Sequence, residues 1–380
     1  MFDYDENLVS FAEYEVLGKL PDPFLKEDGT RVADPKEWES QRKLLYKSAV
    51  ELQYGTQPPK PEVFKVERLY ENSYRITAGT NEKQVSFLMR LFGPKRENGV
   101  KYPVTVDGDM CFNYCYDKEY LSKFIDNGII YALFDRTELA NDIMHEGRGK
   151  GPLYEVYPEY TFGALGAWAW GYSRCVDALE QLGFIDTSCI AFTGHSRGGK
   201  TAILAGVLDE RAAIVNPNET CAGACSCYRL HIIGNREDGK THSSETLKKL
   251  LNNYDFWMGE GMQEYAEREQ DLPFDAHFLK AMVAPRTLLV GEAASDMWAN
   301  PVGSWQTSMA ATEVFKFLGH EENMIWYFRK GYHFHHIVDI ETLVAVILNR
   351  YKGTPLPEHL YKTPFKKPEL IYDWKAPEIK

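Results

Sequence analysis

Residues 191–211, AFTGHSRGGKTAILAGVLDER, constrain the fold more tightly than any other stretch of the chain. An apolar run meets closely spaced glycines at Gly194, Gly198 and Gly199, and a run of small and aliphatic residues follows. The pattern predicts a strand, a tight turn and a helix. Two chemistries use that local shape. From Gly194 to Thr201 the residues read G-x-x-x-x-G-K-T, a loop whose amides and lysine cradle phosphates. From Gly194 to Gly198 they read G-x-S-x-G, an elbow that holds a serine out as a nucleophile.

Position within the chain separates the two. From residue 63 onward short strand-like runs first follow one another, and then alternate with helices. The alternating part runs KYPVTVDGD, helix KEYLSKFIDNG, IIYALFD, helix TFGALGAWAWGYSRCVDALEQLG, SCIAFTG, the helix after Ser196, AAIVNPN, RTLLVGE, helix SWQTSMAATEVFKFLG, MIWYFRK and helix IETLVAVILNRYKG. Such alternation predicts an α/β protein, a mostly parallel sheet with helices on both faces. A phosphate loop usually follows the first strand, and a later strand ending in Asp supplies the magnesium ligand. Here the motif lies past the middle of the series, and the strand ending at Asp135 precedes it. An elbow instead requires an acid and then a histidine after the serine, each at the end of a later strand. Glu219 follows AAIVNPN, Asp296 follows TLLVGEAAS, and His333 follows MIWYFRKGY. The order favours the elbow and the α/β-hydrolase fold, and leaves Lys200 and Thr201 as a coincidence of composition in the first helical turn.

The elbow assigns roles. A serine hydroxyl is a weak nucleophile, so Ser196 needs a histidine to take its proton and a carboxylate to orient the imidazole. The backbone N–H of Arg197, at the start of the helix, points where a tetrahedral oxyanion would form. The segment GYHFHH offers His333, His335 and His336, and an H-x-H pair can also bind metal. No carboxylate partner motif accompanies it. CAGACSC (221–227) lacks a second Cys/His pair at zinc spacing, so its cysteines are read as small buried residues. No metal and no cofactor are expected.

Composition bounds the partners. The net charge of −12 is spread along 380 residues and disfavours nucleic acid and anionic membranes. Aromatic residues make up 13%, enough for a carbohydrate-stacking cleft beside the core. No apolar run approaches the roughly 20 residues of a membrane helix, and the acidic opening MFDYDENLVSFAEYEVLGKL lacks a signal-peptide pattern. Seven cysteines, an odd number at loose spacing, favour reduced thiols. A cytoplasmic protein is therefore expected; composition leaves its oligomeric state open. Residues 1–62, rich in charge and proline with one helical run, read as an extension packed on a main domain at 63–352. A cap or loop insertion is expected at about 221–275 and a proline-rich strap at 353–380. Trp168 and Trp170 are expected to pack, with Trp257 a candidate for the cleft.

The segments LPDPF…DGTRV…EW, FGALGAWAWG, GHSRGGKTAILAGVLDER, LPFDAHFLKAMVAPR and DMWANP carry a resemblance over residues 20–351. They are similar to the glucuronoyl esterase family, carbohydrate esterase family 15, and its bacterial acetylxylan-esterase-like relatives. The resemblance implies a serine carbohydrate esterase that works through an acyl-enzyme on a glucuronoyl methyl ester or an acetyl ester. It implies that Lys200 contacts sugar hydroxyls and that Trp298 is a sugar platform. The family's acid shortly after the strand following the nucleophile falls on Glu219, expected to be the principal acid; its second acid position falls on Asp296. The spacing R-x-G-x-H from Arg329 selects His333, with His335 as the alternative. Where secreted fungal members place paired cysteines beside the serine and the histidine, this chain has His195 and Phe334. Two other readings stand beside this one, another acyl hydrolase (a peptidase or general carboxylesterase) and a catalytically weak sugar-binding relative.

Overall fold

The computed structural model describes residues 13–235 and 241–379, so the first twelve residues of the acidic opening lie outside the described residues. After strand β1 (Glu13–Val16), helix α1 (Pro35–Tyr46) runs into a wider π turn over Lys47–Leu52. Asp34 sets the start of α1 by accepting from the amides of Lys36 and Glu37, and Pro35 at the first position donates nothing that the helix could use.

Strands β2 (Val63–Tyr70), β3 (Ser73–Gly79) and β4 (Gln84–Phe92) form an antiparallel meander. In β4 buried and outward positions alternate, as expected where one face of a sheet is covered. Strands β5 (Tyr102–Asp107) and β6 (Ile130–Phe134) differ, being buried at every position. Helix α2 (Lys118–Ile125) joins them. The short helix α3 (Pro152–Val156) and the long α4 (Ala164–Leu179) precede β7 (Ile185–His195), α5 (Arg197–Leu208) and β8 (Ala212–Asn218). The small residues of α4 let it approach the sheet closely, and Trp168 buries its ring there while donating Nε1–H to the Ala140 carbonyl at 2.8 Å.

Beyond β8 the chain makes β9 (Leu230–Asn235), β10 (Thr241–Ser243), α6 (Leu247–Tyr254) and α7 (Ala276–Ala281), then β11 (Thr287–Ala293), α8 (Pro301–Phe317), β12 (Met324–Arg329) and α9 (Ile337–Lys352). The main sheet has nine strands in the order β12-β11-β8-β7-β5-β6-β4-β3-β2. Neighbours from β12 to β6 are parallel, and the meander continues the sheet antiparallel. The larger core packs under α4, α5, α7 and α8, and a second core packs under α2 and α9 on the other face. This is an α/β-hydrolase fold.

Two features depart from the sequence reading. β1, in the extension, pairs antiparallel with β9, and β10 completes a separate small sheet. The region read as cap or loop therefore contains two strands of that sheet and a buried run, with Cys221, Cys225 and Cys227 all inside. Residues 353–379 carry no helix or strand and return to the extension, where the Leu20 amide donates to the Ile371 carbonyl and Trp374 Nε1 to the Leu20 carbonyl. Among the described residues no helix is long and apolar enough to cross a membrane.

Candidate active site

Parallel strands end on one edge of the sheet, and the turns after β7, β8, β11 and β12 meet there. At the β7–α5 turn Ser196 takes φ 55° and ψ −115°, a conformation that side chains rarely adopt and that projects its Oγ from the turn. The glycines around it are required by close approach. A Cβ on Gly194 would stand 2.5 Å from the Gly198 carbonyl carbon, and one on Gly198 would stand 2.2 Å from the Asp109 carboxylate.

His333, on the loop after β12, places Nε2 2.9 Å from Ser196 Oγ. Its Nδ1 lies 2.6 Å from Asp296 Oδ2 and 3.4 Å from Glu219 Oε2. The Ala299 amide holds the other Asp296 oxygen at 3.2 Å. The chain Ser196–His333–Asp296 is continuous, and Asp296, expected to be the second acid, is the nearer of the two carboxylates to His333. Glu219 is fully buried and committed to Arg329 through a short ion pair. Arg329 also pairs with Asp339 at 2.9 Å and donates to the carbonyls of Tyr332 and Phe334, on either side of His333. Glu219 thus anchors the post around which the histidine loop wraps, and this gives the R-x-G-x-H spacing a physical cause.

Burial works to lower the His333 pKa, but hydrogen bonds and charge from Asp296 and then Glu219 win and raise it to about 9. Burial pushes the Glu219 carboxyl well up, opposed by its hydrogen bond to His333 and the charge of Arg329. Burial also drives His195 well below the ordinary histidine value, with His335 and His333 adding to the shift, and it lowers His335. His335 does not reach the serine. Its ring stacks on His195 at 5.4 Å, and neither ring nitrogen meets a partner among the described residues.

The other expected residues divide. The Arg197 amide opens α5 directly after Ser196, in place to face an oxyanion. Its guanidinium donates to Asp142 and lies over the stacked rings of Tyr254 and Trp257, 3.9 Å apart. Trp298 is half-buried on the Asp296 loop, with the Lys249 ammonium 5.4 Å from its ring. Lys200 is 2% exposed, and its ammonium meets the carbonyls of Thr220 and Ala222 and Glu245 at 3.3 Å, contacts that tie down the loop after β8. His195, Glu219 and His333 bring donor atoms within 4.8 Å of one another, the one group of metal-ligand type among the described residues. Asn218 already takes His195 Nδ1 and Arg329 takes Glu219, a poor setting for a cation.

Sequence reasoning missed Asp109, Arg136 and Asp142. Asp109 and Arg136 are fully buried, and Asp142 nearly so. The one signal was the second acid of the DGD at the end of β5.

The family model described as glucuronyl esterase, fungi, matches residues 76–319. The 4-O-methyl-glucuronoyl methylesterase 1 of Wolfiporia cocos is 30% identical over 311 residues, 79% of this chain and 72% of that protein. The carbohydrate esterase family 15 glucuronoyl esterase from Caldicellulosiruptor kristjansonii superposes with TM-score 0.79 at 30% identity, covering 92% of this chain and 94% of that one. The glucuronoyl esterase catalytic domain from Hypocrea jecorina superposes at 0.76 with 23% identity over 98% and 99%, a likeness of fold. With the match covering most of the chain and the serine elbow in place, this chain belongs to the glucuronoyl esterase family, carbohydrate esterase family 15.

Proposed function

We propose that this serine carboxylic ester hydrolase cleaves a glucuronoyl ester on a plant-type glycan through an acyl-enzyme. The observation that carries the reading is the unbroken chain from Ser196 Oγ through His333 to Asp296 at 2.9 and 2.6 Å. His333 takes the Ser196 proton as Oγ attacks the ester carbonyl. The Arg197 amide donates to the oxyanion, with the helix behind it adding favourable charge. Imidazolium then returns the proton to the departing alcohol, and water repeats the sequence on the acyl-serine. Trp298 serves as a platform for the sugar. Relatives named as 4-O-methyl-glucuronoyl methylesterases support the uronoyl ester over the acetyl ester.

The cysteines support a reducing compartment such as the cytoplasm, since all seven are free and His195 and Phe334 flank the site where cysteines would be needed for a bridge.

Purified protein assayed on a methyl glucuronate ester, an acetylated xylo-oligosaccharide and a simple aryl acetate tests the substrate. Turnover is expected on the first, and Ser196→Ala is expected to lower it by about 10⁴ to 10⁶. Preference for the acetyl ester would move the substrate class, and ordinary turnover by the alanine variant would end the serine reading.

A further inference from the structure

The residues on both sides of the nucleophile are held by one chain of alternating charges that runs from the core to the cleft. Asp109, just after β5, accepts the His195 backbone N–H at 3.1 Å and presses against Gly198 where a side chain would sit. It pairs with Arg136 at 2.7 Å, and Arg136 pairs with Asp142 at 3.0 Å. Asp142 then accepts Arg197 Nη1 on both carboxylate oxygens at 3.1 Å and Trp257 Nε1–H at 3.1 Å. Exposure grows along the chain, from none at Asp109 and Arg136 to 7% at Asp142 and 27% at Arg197. Two carboxylates alternate with two guanidinium groups, so the buried charges offset one another along the chain.

We infer that Asp142 is a positioning residue for Ser196: through Arg197 on one side and Arg136–Asp109–His195 on the other, it fixes the strained turn that presents the hydroxyl. The geometry gives it this place because, among the described residues, it is the one carboxylate that pairs with both arginines. It touches neither Ser196 nor His333 and acts through the residues that flank the nucleophile. Tyr254 and Trp257 confine the Arg197 guanidinium from its face, while Asp142 sets its edge. The inference rests on the reading of Ser196 as a nucleophile and is independent of which ester is cleaved.

The rate at which a fluorophosphonate labels Ser196 tests it, because this probe reads an activated serine whatever the natural substrate. Asp142→Asn is expected to slow labelling by about 10- to 100-fold, as small misplacements of reacting groups do, with the melting transition still cooperative. Arg197→Ala is expected to slow it comparably. Adding Asp142→Asn to Arg197→Ala should cost clearly less than Asp142→Asn costs alone, because the arm through Arg197 is already lost and only the arm through Arg136 is left to break. Asp142→Glu, which keeps the charge, is expected to recover most of the rate, and Asp142→Ser takes the place of the asparagine variant in the cycle should that variant not fold. Fully additive losses in the cycle, or an Asp142→Asn protein that labels at the wild-type rate, overturn the inference. Wild-type protein that labels yet hydrolyses no glucuronoyl ester sinks only the substrate assignment. Wild-type protein that takes no label overturns both.

Discussion

A histidine that meets one carboxylate at 2.6 Å and a second at 3.4 Å is a stronger base than a free imidazole, and the two acids do not contribute alike. Asp296 has one oxygen on the imidazole and the other on the Ala299 amide, so its task is orientation. Glu219 faces a fully buried guanidinium, so its task is shared between the imidazole and the loop that carries it. Asp296→Asn is therefore expected to lower kcat by about 10⁴, the loss that follows when a triad acid becomes an amide. Glu219→Gln should lower kcat far less and cost more stability, about 2 kcal/mol, since Arg329 keeps Asp339 but loses its other anion. Kinetics and urea titration of both variants should show this crossing, and a dead Glu219→Gln beside an active Asp296→Asn would restore the original ranking. The same pairings set the pH dependence. With the folded value of His333 raised from 6.5 to about 9, its protonated form contributes stability that is complete below pH 6.5 and lost as pH rises through 9. Activity runs the other way, because the base must be neutral. The kcat/KM of the free enzyme is expected to climb on the alkaline side of 6.5, and Asp296→Asn should move that limb down.

At the scale of elements, helix α5 does more than present a serine. Its first turn sends Lys200 inward to the loop after β8, where the lysine neutralises buried Glu245 and binds two loop carbonyls. Lys200→Ala leaves that acid and those carbonyls without their donor, and a loss of about 3 kcal/mol is expected from uncovering a buried charge. Chemical denaturation reads it; an unshifted midpoint with a raised KM would return Lys200 to the cleft. The position of this lysine was not legible in the sequence. G-K-T at a helix start looks alike whether the ammonium turns outward or back under the loop. The elbow, the parallel strands and the order acid–acid–histidine were legible, because period, glycine spacing and chain order are local properties. The choice between Glu219 and Asp296 was not, since it depends on how two loops fold over one imidazole. Asp109 and Asp142 were hidden for the same reason: a carboxylate 86 residues from the amide it accepts leaves no local pattern. The pairing of β1 with β9 across more than 200 residues was equally out of reach.

Across the whole molecule, the arrangement places the base just past an edge strand of the sheet. His333 follows β12, and β12 is the terminal strand of the nine. An open edge exposes unpaired backbone groups that recruit other chains. Here residues 353–379 cover it: the Tyr361 amide donates to the Trp326 carbonyl at 3.0 Å, and Phe365 meets Phe328 edge-on at 5.1 Å. The strap then continues to the extension, where Trp374 stacks on His277 and meets Phe24. A chain ending at Lys352 would uncover the sites of Leu360 and Phe365, both buried, at a cost of roughly 4 kcal/mol from those two side chains alone. It would also free the β12 edge. The truncated protein is expected to melt earlier, to associate in a concentration-dependent way on size exclusion, and to lose Ser196 labelling before its helical signal as temperature rises. That order is the informative result, because fraying that begins at β12 reaches the histidine loop before the helices packed on the other strands. A truncated chain that stays monomeric and labels at the full rate up to the wild-type midpoint would show that β12 holds its edge unaided, and that the base needs no support from the far end of the chain.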